Sequence, residues 1–138
     1  MKIKLIDFGY EKLPERKHYN DTGADVYVTE KFEIQPQETK VIPVGFGIEL
    51  PDGCNAHFQT RTSIAKRGLF VQQCAIDAGY RGEWAVLLYN HGHDIFTYKA
   101  GDRVCQVVFN QLPVVDIQEG PVEIDGDRFG GFGSTGVA

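Results

Sequence analysis

Short runs of β-type residues, each broken by turn-forming residues, dominate the pattern of apolar and polar positions along this chain. Lys2-Ile3-Lys4-Leu5-Ile6 alternates polar and apolar residues. Ala24 to Val28 and Lys40 to Pro43 are rich in β-branched residues, and Phe46 to Leu50, Ala56 to Gln59, Trp84 to Tyr89 and Val104 to Phe109 follow suit. Residues spaced by two share one face of a strand, and branched or aromatic side chains suit a half-buried pleated surface. Pro36-Gln37, Pro51-Asp52-Gly53, His91-Gly92 and Ala100-Gly101-Asp102 supply the turns between runs. Many short strands punctuated this way predict an all-β sandwich or barrel. Only Thr62 to Arg67 reads as a helical turn or two, with Ser63 to start it and Gly68 to stop it. One β domain is expected over 1–124, followed by a Gly-rich arm over 125–138.

The chain has 138 residues, enough to bury roughly two-thirds of its unfolded surface in a single domain. Its 42% hydrophobic and 24% charged residues fit an ordinary soluble protein. A net charge of −5 argues against a nucleic-acid polymer as partner, since such proteins carry a basic face. A few arginines can still serve one pocket for a small anion. No run approaches the roughly 18 apolar residues of a membrane helix, and Met1-Lys2-Ile3-Lys4 leads into a strand-like run, not a signal peptide. No membrane partner and a cytoplasmic location are expected. Cys54, Cys74 and Cys105 are odd in number and form no CxxC pair, so they read as small buried or half-buried residues. His91-Gly92-His93 has the alternate spacing of two metal ligands but no evident third.

Five segments combine turn geometry with polar chemistry. In Thr22-Gly23-Ala24-Asp25-Val26-Tyr27 a carboxylate at a strand start can hold a turn or orient metal-bound water. Arg61-Thr62-Ser63-Ile64-Ala65-Lys66-Arg67-Gly68 offers hydroxyls, a guanidinium and backbone N–H groups to an anion, or is simply a capped turn. Ala75-Ile76-Asp77-Ala78-Gly79-Tyr80-Arg81-Gly82-Glu83 reads as a hairpin whose backbone can face a base edge, with Asp77 free to take a proton from water. Gly101-Asp102-Arg103-Val104-Cys105-Gln106 is a turn entering a buried strand, with Gln106 as a ligand contact and Asp102-Arg103 as a local ion pair. Arg128-Phe129-Gly130-Gly131-Phe132-Gly133-Ser134-Thr135-Gly136 packs glycines, hydroxyls, an arginine and aromatic rings together. That composition suits phosphate and a nucleobase. It is not a Walker P-loop, lacking the Gly-Lys-Ser/Thr ending.

In this order, and over nearly the whole chain, the five segments resemble the trimeric dUTPase family. The resemblance implies a small β-barrel or β-clip subunit, of dUTPase-like jelly-roll type, with a flexible Gly-rich C-terminal arm. It implies a homotrimer whose three sites lie between subunits, each covered by a neighbour's arm. It also implies hydrolysis of dUTP to dUMP and pyrophosphate with Mg²⁺, which keeps uracil out of DNA and supplies dUMP for thymidylate synthesis.

By the same resemblance Asp77 activates water for attack on the α-phosphorus. Ala75 and Ile76 belong to the segment that meets the base, and Tyr80 packs on the deoxyribose. Arg61, Thr62, Ser63 and Gln106 bind phosphates. Arg128, Ser134 and Thr135 hold the γ-phosphate beside Gly133, while Phe132 stacks on uracil. Asp25 lies near the metal's water shell, the ion being carried mainly by the triphosphate.

Three departures from the family pattern stand out. Thr60-Arg61-Thr62 replaces Pro-Arg-Ser and keeps the hydroxyl. The stretch 69–75 is short and lacks the usual Asn, leaving Gln72 or Gln73 for that contact to uracil. Arg128-Phe129-Gly130-Gly131 is shorter than Arg-Gly-x-Gly-Gly. A dCTP deaminase shares the implied fold but needs a Glu absent from Val86-Leu87-Leu88-Tyr89-Asn90. A nucleotide-binding regulatory protein on this scaffold is the alternative of another class.

Overall fold

The computed structural model describes residues 1–122. Eleven strands and one short helix follow in the order β1 (Lys4–Asp7), β2 (Ala24–Tyr27), β3 (Phe32–Ile34), β4 (Thr39–Pro43), β5 (Phe46–Glu49), β6 (Cys54–Gln59), α1 (Thr62–Ala65), β7 (Leu69–Val71), β8 (Ile76–Asp77), β9 (Ala85–Asn90), β10 (Phe96–Tyr98) and β11 (Arg103–Gln111). They form four antiparallel sheets, ordered β2-β11-β6-β8, β4-β9-β7, β1-β5 and β3-β10. The result is a jelly-roll-like all-β barrel.

Its interior is built by the alternation read from the sequence. Val26, Val28, Ile34, Val44, Ile48, Val86, Leu88 and Val107 point inward and are almost fully buried. Trp84 sits among them, edge-on to Phe58 with ring centroids 6.0 Å apart and tilted against Phe46 at 5.7 Å.

All seven expected strand runs are strands, with ends shifted by a residue or two. β3, β7, β8 and β10 are additional; each is two or three residues long, too short to display a period. The helix ends at Ala65, two residues short of the expected Arg67, and turns carry the chain on to Gly68 at φ 98°. Its start differs: Arg61, with extended backbone at ψ 133°, is the N-cap and makes no side-chain cap, so Ser63 lies inside the first turn.

Residues 75–83 are not a self-paired hairpin. β8 pairs with β6, Asp77 opposite Asn55 and Ile76 opposite Ala56. After the turn at Ala78-Gly79, Trp84 N–H donates to the Phe46 carbonyl at 2.9 Å and the Trp84 carbonyl accepts from Val44 at 3.1 Å. Burial of the large Trp84 side chain explains the divergence, because it draws the returning limb to the opposite sheet. Of the cysteines, Cys54 and Cys105 are buried, whereas Cys74 is exposed on the irregular segment 72–75, which has no packed face to hide it.

Candidate active site

β11 organises the polar residues. Its inward positions Cys105 and Val107 fill the core, and Gln106 faces the other way. Gln106 lies opposite Asp25 of β2 on one side and Gln59 of β6 on the other. Cross-strand neighbours share a face, and β6 runs directly through Thr60 into Arg61 and α1. Three stretches remote in sequence therefore meet. Asp25, Arg61, Thr62, Ser63 and Gln106 line one cavity of about 400 Å³, together with Lys17, Asp21, Thr22, Gly23 and Arg103. Gly23 packs so tightly on Gln106 that a Cβ at that position would lie 2.8 Å from the Gln106 Cβ.

The charges in this cavity are unevenly paired. Arg103 donates to the Asp25 carboxylate at 3.3 Å. This replaces the expected Asp102–Arg103 pair: Asp102 instead accepts from the Lys99 N–H at 2.9 Å within its own turn. The cause is geometric, since adjacent residues on a strand point to opposite faces while Arg103 and Asp25 lie on neighbouring strands. Asp25 is itself buried, and its backbone exchanges hydrogen bonds of 2.8 and 3.2 Å with Glu15. Asp21 ties the preceding loop by accepting from His18 N–H at 2.8 Å.

Arg61 is half-buried, and among the described residues no carboxylate lies within ion-pair distance of it. A guanidinium withdrawn from water without a counter-charge is poised for an anion. Thr62 and Ser63 open α1, so their N–H groups have no intrahelical acceptor. Burial pushes the Cys105 thiol well above its ordinary value, with the Asp25 charge adding to the effect. It is a core residue, fully buried, and not a nucleophile of this cavity.

Other expected site residues lie elsewhere. Asp77 follows Ile76 in β8 at the far end of β6, beside Asn55, which itself lies opposite Asn110 of β11. Four residues along β11 and two strand spacings separate it from Gln106, roughly 17 Å between Cα atoms. Asp77 and Ala75 are exposed and Ile76 is half-buried. Tyr80 is 49% exposed; its N–H donates to the Asp77 carbonyl at 3.1 Å and its hydroxyl to the Glu83 carbonyl at 3.1 Å. Gln72 and Gln73 are exposed too. Arg128, Phe132, Gly133, Ser134 and Thr135 lie outside the described residues, as does the arm 125–138.

Lys17 and Asp21 were not legible as cavity residues, because they sit on an irregular loop with no period to orient them. For Arg103 only its place in the fourth segment pointed to the site. Among the described residues no cluster of three or more His, Cys, Asp or Glu could hold a metal by itself.

A protein-family model described as dUTPase matches residues 10–136. The chain is 39% identical to the deoxyuridine 5'-triphosphate nucleotidohydrolase of Clostridium tetani, covering 99% of this chain and 96% of that one. It is 40% identical to the enzyme of the same name from Crocosphaera subtropica, covering 99% and 100%. Its fold is similar to the dUTPase of Staphylococcus bacteriophage 80alpha, a point mutant solved with dUpNHpp, with a TM-score of 0.86 at 21% identity over 99% of both chains. A point mutant of the dUTPase of phage phi11 of S. aureus, in which a structural Mg(II) ion is coordinated, matches with a TM-score of 0.79 at 18% identity over 94% and 100%.

Proposed function

The chain belongs to the dUTPase family, and from that premise we propose that it hydrolyses dUTP to dUMP and pyrophosphate at sites shared between the subunits of a homotrimer. One observation carries the reading: Asp25, Arg61, Thr62, Ser63 and Gln106, the residues that match three of the family's motifs, line a single cavity. Its guanidinium, unpaired among the described residues, and its hydroxyls suit a polyphosphate.

In this reading the triphosphate runs along Arg61, Thr62, Ser63 and Gln106. The uracil meets the backbone of Ala75 and Ile76, and the deoxyribose packs on Tyr80. Asp77 accepts a proton from water as its oxygen bonds to the α-phosphorus, and the α–β bridging bond breaks to release pyrophosphate. Arg128, Gly133, Ser134 and Thr135 close on the γ-phosphate, with Phe132 over the base. The domain 1–124 forms the body and the arm 125–138 serves a neighbour's site. dUTP removal limits uracil in DNA, and the dUMP formed feeds thymidylate synthesis.

Magnesium suits this cavity in one way. Its carboxylates are Asp21 and Asp25, and Asp25 is already engaged by Arg103. That set is too small to enclose the ion but fits one held mainly by phosphate oxygens, with Asp25 contacting it through water. When bound, the ion would offset phosphate charge. Among the described residues no helix is long and apolar enough to cross a membrane; a cytoplasmic site of action is part of the proposal.

The separation of Asp77 from Gln106 favours a shared site, because no single subunit brings both to one phosphate. Mixing inactive variants tests this. In trimers reassembled from equal amounts of Arg61→Gln and Asp77→Asn chains, a site is intact only when its cavity comes from an Asp77→Asn chain and its Asp77 from an Arg61→Gln chain. Random assembly makes that about a quarter of sites, so about a quarter of wild-type pyrophosphate release is expected. No recovery in reassembled trimers, or a solution mass that is not trimeric, would contradict the proposal.

A further inference from the structure

Arg61 stands between two cavities. On its other side, away from Thr62 and Gln106, lies a second cavity of about 340 Å³ between α1 and β10, walled by Arg67, Phe96, Tyr98, Asp102 and Arg103 as well as Arg61. The reaction above uses none of Arg67, Phe96 or Tyr98. Arg103 is paired with Asp25, and Asp102 holds its own turn through the Lys99 N–H. Arg61 and Arg67 remain, and among the described residues neither has a carboxylate within ion-pair distance.

Arg67 lies with its guanidinium carbon 4.6 Å from the centre of the Phe96 ring. Stacking of this kind occupies the face of the guanidinium and leaves its N–H edge available. Tyr98 supplies an independent observation. It is only 7% exposed, stacks on Phe32 with centroids 4.9 Å apart, and its enclosed hydroxyl has no hydrogen-bond partner among the described residues. Buried polar groups nearly always find one. Burial raises the Tyr98 pKa, and the charges that oppose the rise are first Arg61 and then Arg67. The hydroxyl thus stays protonated near neutral pH, as a donor within the field of the same two guanidiniums.

We propose that this cavity is a second anion site, which takes an inorganic phosphate between the Arg61 and Arg67 guanidiniums with the Tyr98 hydroxyl as third donor. The anion gives Tyr98 the acceptor it lacks and neutralises two unpaired cations. Arg61 borders both cavities, so a phosphate bound here draws it away from the nucleotide's polyphosphate. Free phosphate is then an inhibitor that raises KM. This kinetic consequence rests on the dUTPase reading; the binding itself does not.

The test is calorimetric titration of the full-length protein with inorganic phosphate, without nucleotide, against chloride at equal ionic strength. Wild type is expected to bind. Arg67→Gln, which removes a charge-assisted contact, should weaken binding about tenfold or more. Tyr98→Phe keeps the ring on Phe32 and should weaken it several-fold, whereas Thr62→Ala should leave it unchanged. In turnover assays phosphate should raise KM for dUTP in wild type and much less in Arg67→Gln. Wild-type phosphate affinity in Arg67→Gln or in Tyr98→Phe overturns the site. So does loss of binding in Thr62→Ala, which would put the anion in the first cavity. Unchanged phosphate binding together with weakened dUpNHpp binding in Arg67→Gln would assign Arg67 to the nucleotide's own phosphates and also overturn it. Absence of any dUTP turnover would defeat the dUTPase reading while leaving the titration to decide the anion site.

Discussion

Gly23→Ala is the smallest change that probes how the cavity is assembled. Gly23 does not adopt a left-handed conformation, so its backbone admits alanine, and relief of glycine's unfolded-state freedom alone would stabilise by about 0.4–1 kcal/mol. The obstacle is steric. The new Cβ would lie 2.8 Å from the Gln106 Cβ and 3.1 Å from its Oε1. Carbon atoms rest comfortably at about 3.5 Å, so β2 and β11 must separate there by roughly 0.7 Å. Gln106 Cβ is fixed to the strand backbone and cannot swing aside, as the end of a flexible side chain could. Overpacking of this kind costs about 1–3 kcal/mol, enough to outweigh the entropic gain. Displacement of Gln106 and the adjacent Asp25 should also cost up to ~100-fold in kcat/KM. Urea denaturation at fixed protein concentration, followed by fluorescence of the buried Trp84, gives the first number, and pyrophosphate release from dUTP gives the second. Gly120→Ala is the control, since among the described residues its Cβ would meet nothing within 4 Å; it should be neutral. Undiminished stability together with kcat/KM within about twofold of wild type in Gly23→Ala would refute the contact.

Two further changes test other parts of the molecule. Asn90 is fully buried; its amide donates to the Ile34 and Asp94 carbonyls at 3.1 and 2.7 Å and its Oδ1 accepts from Gly92 N–H at 3.0 Å. Asn90→Ala strands all three groups and should cost about 3 kcal/mol or more in urea denaturation; a cost below about 1 kcal/mol would contradict it. The Cys105 thiol is fully buried and its pKa is pushed up from 9.0. Above pH 9 the unfolded chain releases this proton while the folded one keeps it, so stability is intact below that pH and falls above it. The slope from this group is about 1.4 kcal/mol per pH unit, with Tyr98 adding to it above its own ordinary value of 10.0. Cys105→Ala should flatten that alkaline decline in denaturation curves taken from pH 8 to 11, and an unchanged slope would refute it.

The sequence carried most of the strands because β6 and β9 alternate between core and outer face, while β2 and β5 are short apolar runs bounded by turns. β3, β7 and β10 were missed for the opposite reason: three residues cannot display a period, and each is held by partners distant in the chain. Arg103 exposes the limit of local reading. Its neighbour Asp102 looked like its partner, yet β11 sets it opposite Tyr27 of β2, and from there its guanidinium reaches Asp25 two residues along that strand. Trp84 had a similar effect on 75–83, where glycines suggested a self-paired hairpin but core burial diverted the returning limb. Asp25, Arg61, Thr62, Ser63 and Gln106 were identified by family resemblance; that they share one cavity follows from strand order. Lys17, Asp21 and Arg67 gave no such sign, because a charge on a loop or a short helix acquires meaning only from what folds opposite it.

Pyrophosphate release from dUTP, dCTP, dTTP and UTP, each with Mg²⁺ and at equal concentration, decides whether this protein is a hydrolase selective for dUTP. Buried groups left unpaired by the wrong base can give rejection of about 10⁴-fold. Rapid release of pyrophosphate from dUTP and little from the other three is expected. No release from dUTP, or equal release from all four, would contradict it.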